Sequence, residues 1–417
     1  MFTIYILIAV YIMTFVYLVS KKDFGLTLFL LIYTGPVTAV ILHLLFPETY
    51  LMGGGRVYLQ TQENTFQLLV IALIGLMGLA LSYSYPSRLR LFQSERFELK
   101  LSRVEIIFWL FVAFVLIYYI MPSVKIWHAE YLYSKAQQQE IPGIKVGRVI
   151  GHSIFLVIFV SVLRYKLPYR YYVLTFILFS VIYLEILSGV RSEAIGLAVA
   201  MLAYIVNDDN FLNVTSKVKR LLERRKAKLN RRVYFFLALI VALIYYIGKT
   251  RSGGAVDFKN FSTFEAVAAT YLSAVQLIEQ GYTDYFYGKT YFDIILQTLP
   301  ASINPDRPLV PAQYILHTPL AASGGAFLAG TAYMNFSYFG PFIILFIIGR
   351  IMQVTKNGMQ SGGFLSVVIY LSFVMSFFRL MYYSELATYK MILVTLIAFF
   401  MMWSVSSLLK LALMNKA

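Results

Sequence analysis

The chain has 417 residues, of which 59% are hydrophobic and only 13% charged, where an ordinary soluble domain carries about 25% charged residues. Its mean hydropathy of +0.71 and its repeated apolar runs of about 18 residues or more exclude a secreted or cytosolic globular enzyme and a disordered chain, and the lack of any cysteine excludes a disulfide scaffold, an iron–sulfur centre and a thiolate metal site. The formal net charge of +16 then reads as the positive-inside bias of a polytopic membrane protein, to which a site for an anionic ligand would add.

Charges, prolines and glycines bound the apolar runs into about eleven predicted helices. They are Met1–Ser20, Phe24–Phe46, Thr65–Tyr85, Val104–Met121, Val149–Leu163, Tyr171–Leu187, Ser192–Val206, Val233–Gly248, Ala326–Gly349, Gly363–Tyr382 and Leu386–Leu409. The first lacks a basic n-region and a small-x-small cleavage site, so it is expected to be a retained helix. The fold class expected is an all-α polytopic integral membrane protein, a single membrane domain over residues 1–417.

Orientation follows from the lysines and arginines of the connections. With the N-terminus outside and the C-terminus in the cytoplasm, 23 of the 36 fall on cytoplasmic segments and 13 outside. The run KVKRLLERRKAKLNRR in the 207–232 loop dominates this count and reads as a solvated topology determinant near anionic lipid. No aromatic platform or recognised module accompanies it, so no nucleic-acid partner is expected. Two outer connections are long: residues 122–148, and residues 249–325, which include a helix-like stretch Phe261–Gln280 and then PASINPDRPLVP. Asn304–Pro305 and Arg307–Pro308 there predict turns and extended chain, and loops of this length are commonly functional.

Ionisable residues gather at the outer ends of the predicted spans: Arg148, Glu185, Arg191, Glu193, Arg251, Arg379 and Glu385, with His43 and His152 at the same level. An arginine at a helix end can simply snorkel to the interface. Ionisable groups inside spans are costly and usually line an interior cavity, and arginine gives the fixed charge and planar fork that phosphate accepts. Four arginines at headgroup depth therefore suggest a pocket for a lipid phosphate or diphosphate. The four histidines show no paired metal-ligand spacing, and there is no P-loop, GxGxxG or GxSxG. No metal and no cofactor is expected.

Two segments bring a family resemblance. LSGVRSEAIGLAVAMLAYI, Leu187 to Ile205, has a Gly-x-Arg leading into a helix, and GGAFLAGTAYMNFSYFGPFIILFIIG, Gly324 to Gly349, carries a Tyr-x-Asn-Phe-x-x-x-Gly pattern at Tyr333, Asn335, Phe336 and Gly340. In these and in its whole predicted topology the chain resembles the Wzy-type O-antigen polymerases, although Phe327–Gly330 offers no acidic residue where many members place one. The resemblance implies a GT-C-like glycosyltransferase architecture in the bacterial inner membrane. It implies metal-independent transfer of a glycan from undecaprenyl diphosphate to another lipid-linked repeat unit on the periplasmic face, with a chain-length regulator protein as a further partner. Arginines would then stabilise the departing diphosphate: Arg191 and Arg251 first, Arg307 and Arg379 next, with Arg148 at the same depth. The acceptor hydroxyl needs a general base, for which His317, Glu193, Asp306 and Glu385 are candidates. Tyr314, Tyr333 and Asn335 are candidate glycan contacts, although an interfacial aromatic belt accounts for most of the 33 tyrosines. An O-antigen ligase-like enzyme shares the donor, and His317 suits it equally. A flippase of the same lipid-linked glycans would show matching broken helices in two halves, and no such symmetry is visible.

Overall fold

A computed structural model of the chain describes residues 2–21, 23–45, 62–85, 97–119, 144–181, 192–207, 274–298, 304, 306, 308–309, 314, 327–360, 363–382 and 385–414. Among them every regular element is a helix: α1 (Phe2–Val19), α2 (Phe24–Leu45), α3 (Gln62–Ser84), α4 (Arg103–Tyr119), α5 (Ile144–Arg164), α6 (Arg170–Val181), α7 (Ser192–Asn207), α8 (Lys289–Thr298), α9 (Leu328–Phe336), α10 (Phe339–Gln360), α11 (Phe364–Met375), α12 (Phe377–Tyr382) and α13 (Glu385–Met414). Among the described residues three stretches are long and apolar enough to cross a membrane: Phe66–Ser84, Phe339–Gln360 and Glu385–Ala412. The expected span Val233–Gly248 lies outside the described residues, as do the loops 122–148 and 207–232 apart from their helical ends.

Two expected spans turn out to be broken. Ala326–Gly349 divides into α9 and α10 at Ser337, whose φ of 53° and ψ of −146° no helix accommodates. Gly363–Tyr382 divides into α11 and α12 at Ser376. Uniform apolarity hid both breaks, because a serine is a weak breaker by composition.

The chain divides into two compact units. The first comprises Met1–Glu98 and Asn260–Met401, and the second Leu99–Lys259 and Met402–Ala417.

In the first unit α3 packs against α1, α2, α9 and α10. A Cβ on Gly78 would lie 2.9 Å from the carbonyl carbon of Phe342, so the missing side chain is what lets the α3 and α10 backbones meet, as small residues do between membrane helices. Asp23, 2% exposed, caps α2 by accepting from Leu26 N at 3.1 Å. It also receives the Tyr83 hydroxyl at 3.3 Å and the Lys356 ammonium at 3.0 Å, so its buried charge is met. An aromatic core of Phe29, Tyr33, Phe327 and Phe377 joins α2 to α12 and to the start of α9, with ring centroids 5.2 Å apart for Tyr33–Phe327 and 5.3 Å for Phe29–Phe377.

These contacts fix the direction of the helices. Gln67 near the start of α3 bonds Tyr338 just before α10, while Gln353 near the end of α10 bonds the Ser82 carbonyl at 2.7 Å. The two helices therefore run parallel. The α1–α2 turn, the end of α3 and the end of α10 share one end of the unit, where Asp23 meets Lys356 and Tyr17 meets Ser84. Gln67, Tyr333 and Tyr338 lie at the other.

In the second unit α5 is central, buried without interruption from Gly151 to Leu163 against α4, α6 and α7. A helix apolar on every side is one that is enclosed by protein or lipid. α4 opens on a capping box in which Ser102 N donates to Glu105 Oε2 at 2.7 Å and Glu105 N to Ser102 Oγ at 3.3 Å. Two of the backbone donors at that terminus are thereby satisfied reciprocally.

Candidate functional site

The site grows from α9, the short helix LAGTAYMNF, of which all but Phe336 is buried. It ends at Ser337, whose N–H returns to the Tyr333 carbonyl at 2.8 Å, and the chain then starts α10 at once. Gly340 sits under this turn, where a Cβ would be 2.6 Å from the Ala332 carbonyl carbon.

The late loop segment 274–298 is docked onto α9 through the residues of the Tyr-x-Asn-Phe pattern. Asn335 is fully buried. Its amide donates to Thr290 Oγ1 at 2.7 Å and to the Thr331 carbonyl at 2.9 Å. Phe336 stacks on Tyr291, with rings 14° from parallel and centroids 6.2 Å apart. The Phe286 N–H donates to the Met334 carbonyl at 3.0 Å, and Ala274, Leu277 and Met334 form a small apolar core flanked by Ile278, Phe286 and Tyr314.

Tyr333, 1% exposed, is the hub of a polar cluster on this surface. Its hydroxyl donates to Glu279 Oε1, a charge-assisted bond, and receives the Tyr285 hydroxyl at 3.2 Å. Tyr285 in turn receives the Ser337 hydroxyl at 3.2 Å. Gln67 Nε2 lies 3.1 Å from Glu279 Oε1, 3.1 Å from the Tyr338 hydroxyl and 3.3 Å from the Tyr333 hydroxyl, so its two protons serve three acceptors. Tyr285, Tyr333 and Tyr338 pack edge to face, with centroids 5.9 and 5.3 Å apart, and Tyr287 stands 6.5 Å beyond Tyr285. Glu279 itself is exposed.

A second polar group lies beneath. Glu385, 5% exposed, accepts from Thr331 Oγ1 at 2.6 Å, while its Oε2, the Tyr291 hydroxyl and Thr388 Oγ1 have no hydrogen-bond partner among the described residues. Burial pushes the Tyr291 phenol well up, and the Glu385 carboxylate adds to it, so Tyr291 keeps its proton.

Of the residues singled out in the sequence, Tyr333, Asn335 and Tyr314 come together around the docked loop, and Glu385 lies under it through Thr331. Asp306 is exposed on the loop and Arg379 is half-buried in α12. Arg191, Arg251, Arg307 and His317 lie outside the described residues; Arg148 and Glu193 belong to α5 and α7, their side chains outside the described part. Among the described residues no group of three or more His, Asp and Glu is placed to hold a metal ion. Glu279 and Gln67 were missed. Glu279 is one of the two acids of IEQGYTDYFYG, with Asp284, and its signal was a carboxylate beside a run of tyrosines.

Compared with known proteins, the chain matches no family model, no curated protein and no solved structure.

Proposed function

We propose that this chain polymerises undecaprenyl-diphosphate-linked oligosaccharide repeat units of an O-antigen or related surface polysaccharide, on the outer face of the bacterial inner membrane. The observation that carries the reading is the docking of the late loop onto α9 by Tyr333, Asn335 and Phe336, which brings a fixed carboxylate and several tyrosines to one end of the apolar helices. The exposed face of α8 supports it. Thr290, Asp293 and Gln297 point inward, while Phe292 (71% exposed), Ile295 (55%) and Leu296 (47%) point outward. A helix with its apolar side outward suits a lipid surface, where a lipid-linked substrate presents its headgroup.

The chemistry is a single displacement in its balance. An acceptor sugar hydroxyl forms a bond to the anomeric carbon of the donor, the bond from that carbon to the diphosphate breaks, undecaprenyl diphosphate leaves with the electron pair, and the hydroxyl proton passes to a base. Arginines offset the charge that develops on the diphosphate. Glu279 joins His317, Glu193, Asp306 and Glu385 as a candidate for the base, and it is both exposed and held in place.

Purified protein in liposomes with a lipid-linked repeat unit is expected to give a ladder of chain lengths. Transfer to a lipid A–core acceptor without a ladder would instead establish the ligase reading, and translocation without bond formation the flippase reading. The ladder is expected to persist in EDTA. Loss of polymer on chelation, restored by Mg²⁺ or Mn²⁺, would show that a cation does the work assigned to the arginines.

The proposed orientation has its own measurement. The chain contains no cysteine, so single cysteines report location. Asp284→Cys, at an exposed position, is expected to react with an impermeant thiol reagent in intact cells, and Arg225→Cys only after permeabilisation. The reverse pattern would invert the protein.

A further inference from the structure

The polar cluster has one feature that loop docking does not require: Tyr287. Its ring is 78% exposed and its φ is +48°, a left-handed conformation that is costly for a bulky residue. Held strain of this kind concentrates at functional positions. Tyr285 stands beside it, edge to face at 6.5 Å, packs in turn on Tyr333, and through Tyr333 the row of rings continues to Tyr338, 40% exposed, which bonds Gln67. Glu279 completes the surface, and among the described residues both of its hydrogen bonds fall on Oε1, leaving Oε2 for an outside donor.

We infer that Tyr287, Tyr338, Glu279 and Gln67 form a glycan subsite that takes one sugar ring of the substrate. It rests on the polymerase reading, and names the surface that would hold the sugar.

The chemistry fits the two faces of a pyranose. Its axial C–H bonds make an apolar side that stacks on an aromatic ring, and tyrosine offers a large rigid face at small entropic cost. Its equatorial hydroxyls need a few fixed acceptors and donors: Glu279 Oε2 and the Gln67 amide oxygen accept, and the Tyr338 hydroxyl donates. Tyr333 bonds both Glu279 and Gln67 and holds them in place. An aromatic belt would explain tyrosines scattered along a membrane interface. It does not explain a carboxylate and an amide tied into the same rings, because neither gains anything from lipid.

The test uses the full-length protein in nanodiscs and, as probe, the lipid-free oligosaccharide released by mild acid from the lipid-linked intermediates of the cells that make this protein. Binding is read by saturation-transfer NMR. The wild type is expected to transfer saturation to the oligosaccharide. Tyr287→Ala and Glu279→Gln are each expected to weaken binding about tenfold or more, and Tyr287→Phe, which keeps the ring, to bind as the wild type does. Tyr287 is exposed and glutamine still accepts from Tyr333, so thermal midpoints should not change. No transfer from the wild type, or binding as tight as the wild type's by Tyr287→Ala or by Glu279→Gln, overturns the subsite. Failure of the polymerase reading looks different: oligosaccharide binding lost in these variants, yet no ladder from the wild type, leaves the subsite standing and removes the activity.

Discussion

Gly340→Ala is expected to remove most of the folded protein, because the added methyl would meet backbone and nothing flexible. The Cβ would lie 2.6 Å from the Ala332 carbonyl carbon and 3.3 Å from the Tyr333 nitrogen, both part of α9. A side chain in the way can rotate; a helix backbone can only be displaced. Displacement here separates α9 from α10 at the turn that fixes Tyr333 and Asn335, so the docked loop is lost with it. The cost should exceed the roughly 1–3 kcal/mol of ordinary overpacking. Gly281→Ala separates space from conformation: its φ is +70° but nothing lies within 4 Å, and it should cost only the about 1–2 kcal/mol of left-handed backbone. Size-exclusion profiles and thermal midpoints in detergent measure both. Gly340→Ala with the yield and midpoint of the wild type would show that α9 and α10 do not depend on this approach.

The helical character of the chain was legible because it rests on composition: α1, α2, α3 and α5 are apolar on every side and begin within a few residues of their expected starts, α5 by five. What apolarity could not show was where a helix breaks. Ser337 and Ser376 divide expected spans, and their backbone geometry is set by the tertiary packing of the turns. α8 was invisible for the opposite reason. Its buried positions, Thr290, Asp293, Ile294 and Gln297, follow helical spacing, but three of the four are polar. A reader looking for an apolar stripe finds Phe292, Ile295 and Leu296, which point outward.

The site was legible in part. The pattern Tyr333, Asn335, Phe336 and Gly340 marked the place where the loop docks, yet its residues divide the work in a way spacing does not reveal. Asn335, a candidate glycan contact by sequence, spends its amide on Thr290 and the Thr331 carbonyl. Glu279 reaches Tyr333 across 54 residues and Gln67 reaches Glu279 across 212. Partners that distant are brought together by the fold, and one sequence carries no sign of them.

Arg191→Lys and Arg251→Lys are each expected to cut polymer formation on the order of a hundredfold or more, the effect of losing one transition-state charge contact worth about 3–4 kcal/mol. The argument comes from the sequence: Arg191 precedes α7 in SGVRSE, and Arg251 follows the predicted span Val233–Gly248 in GKTRSGG. Both thus fall where that span and α7 are expected to reach the outer headgroup layer, the depth of a lipid diphosphate. A residue whose task is to anchor a helix end needs only a long stem and a positive charge, and lysine snorkels as well as arginine does. A residue that grips a diphosphate needs the planar fork, which supplies two parallel hydrogen bonds in fixed geometry and which lysine lacks. The substitution therefore keeps everything the anchor needs and removes what the clamp needs. Ladder formation per folded molecule, at matched expression and with unchanged thermal midpoints, separates the two roles. Near-normal ladders from both lysine variants would make these arginines anchors and move the diphosphate contact to Arg307, Arg379 or Arg148.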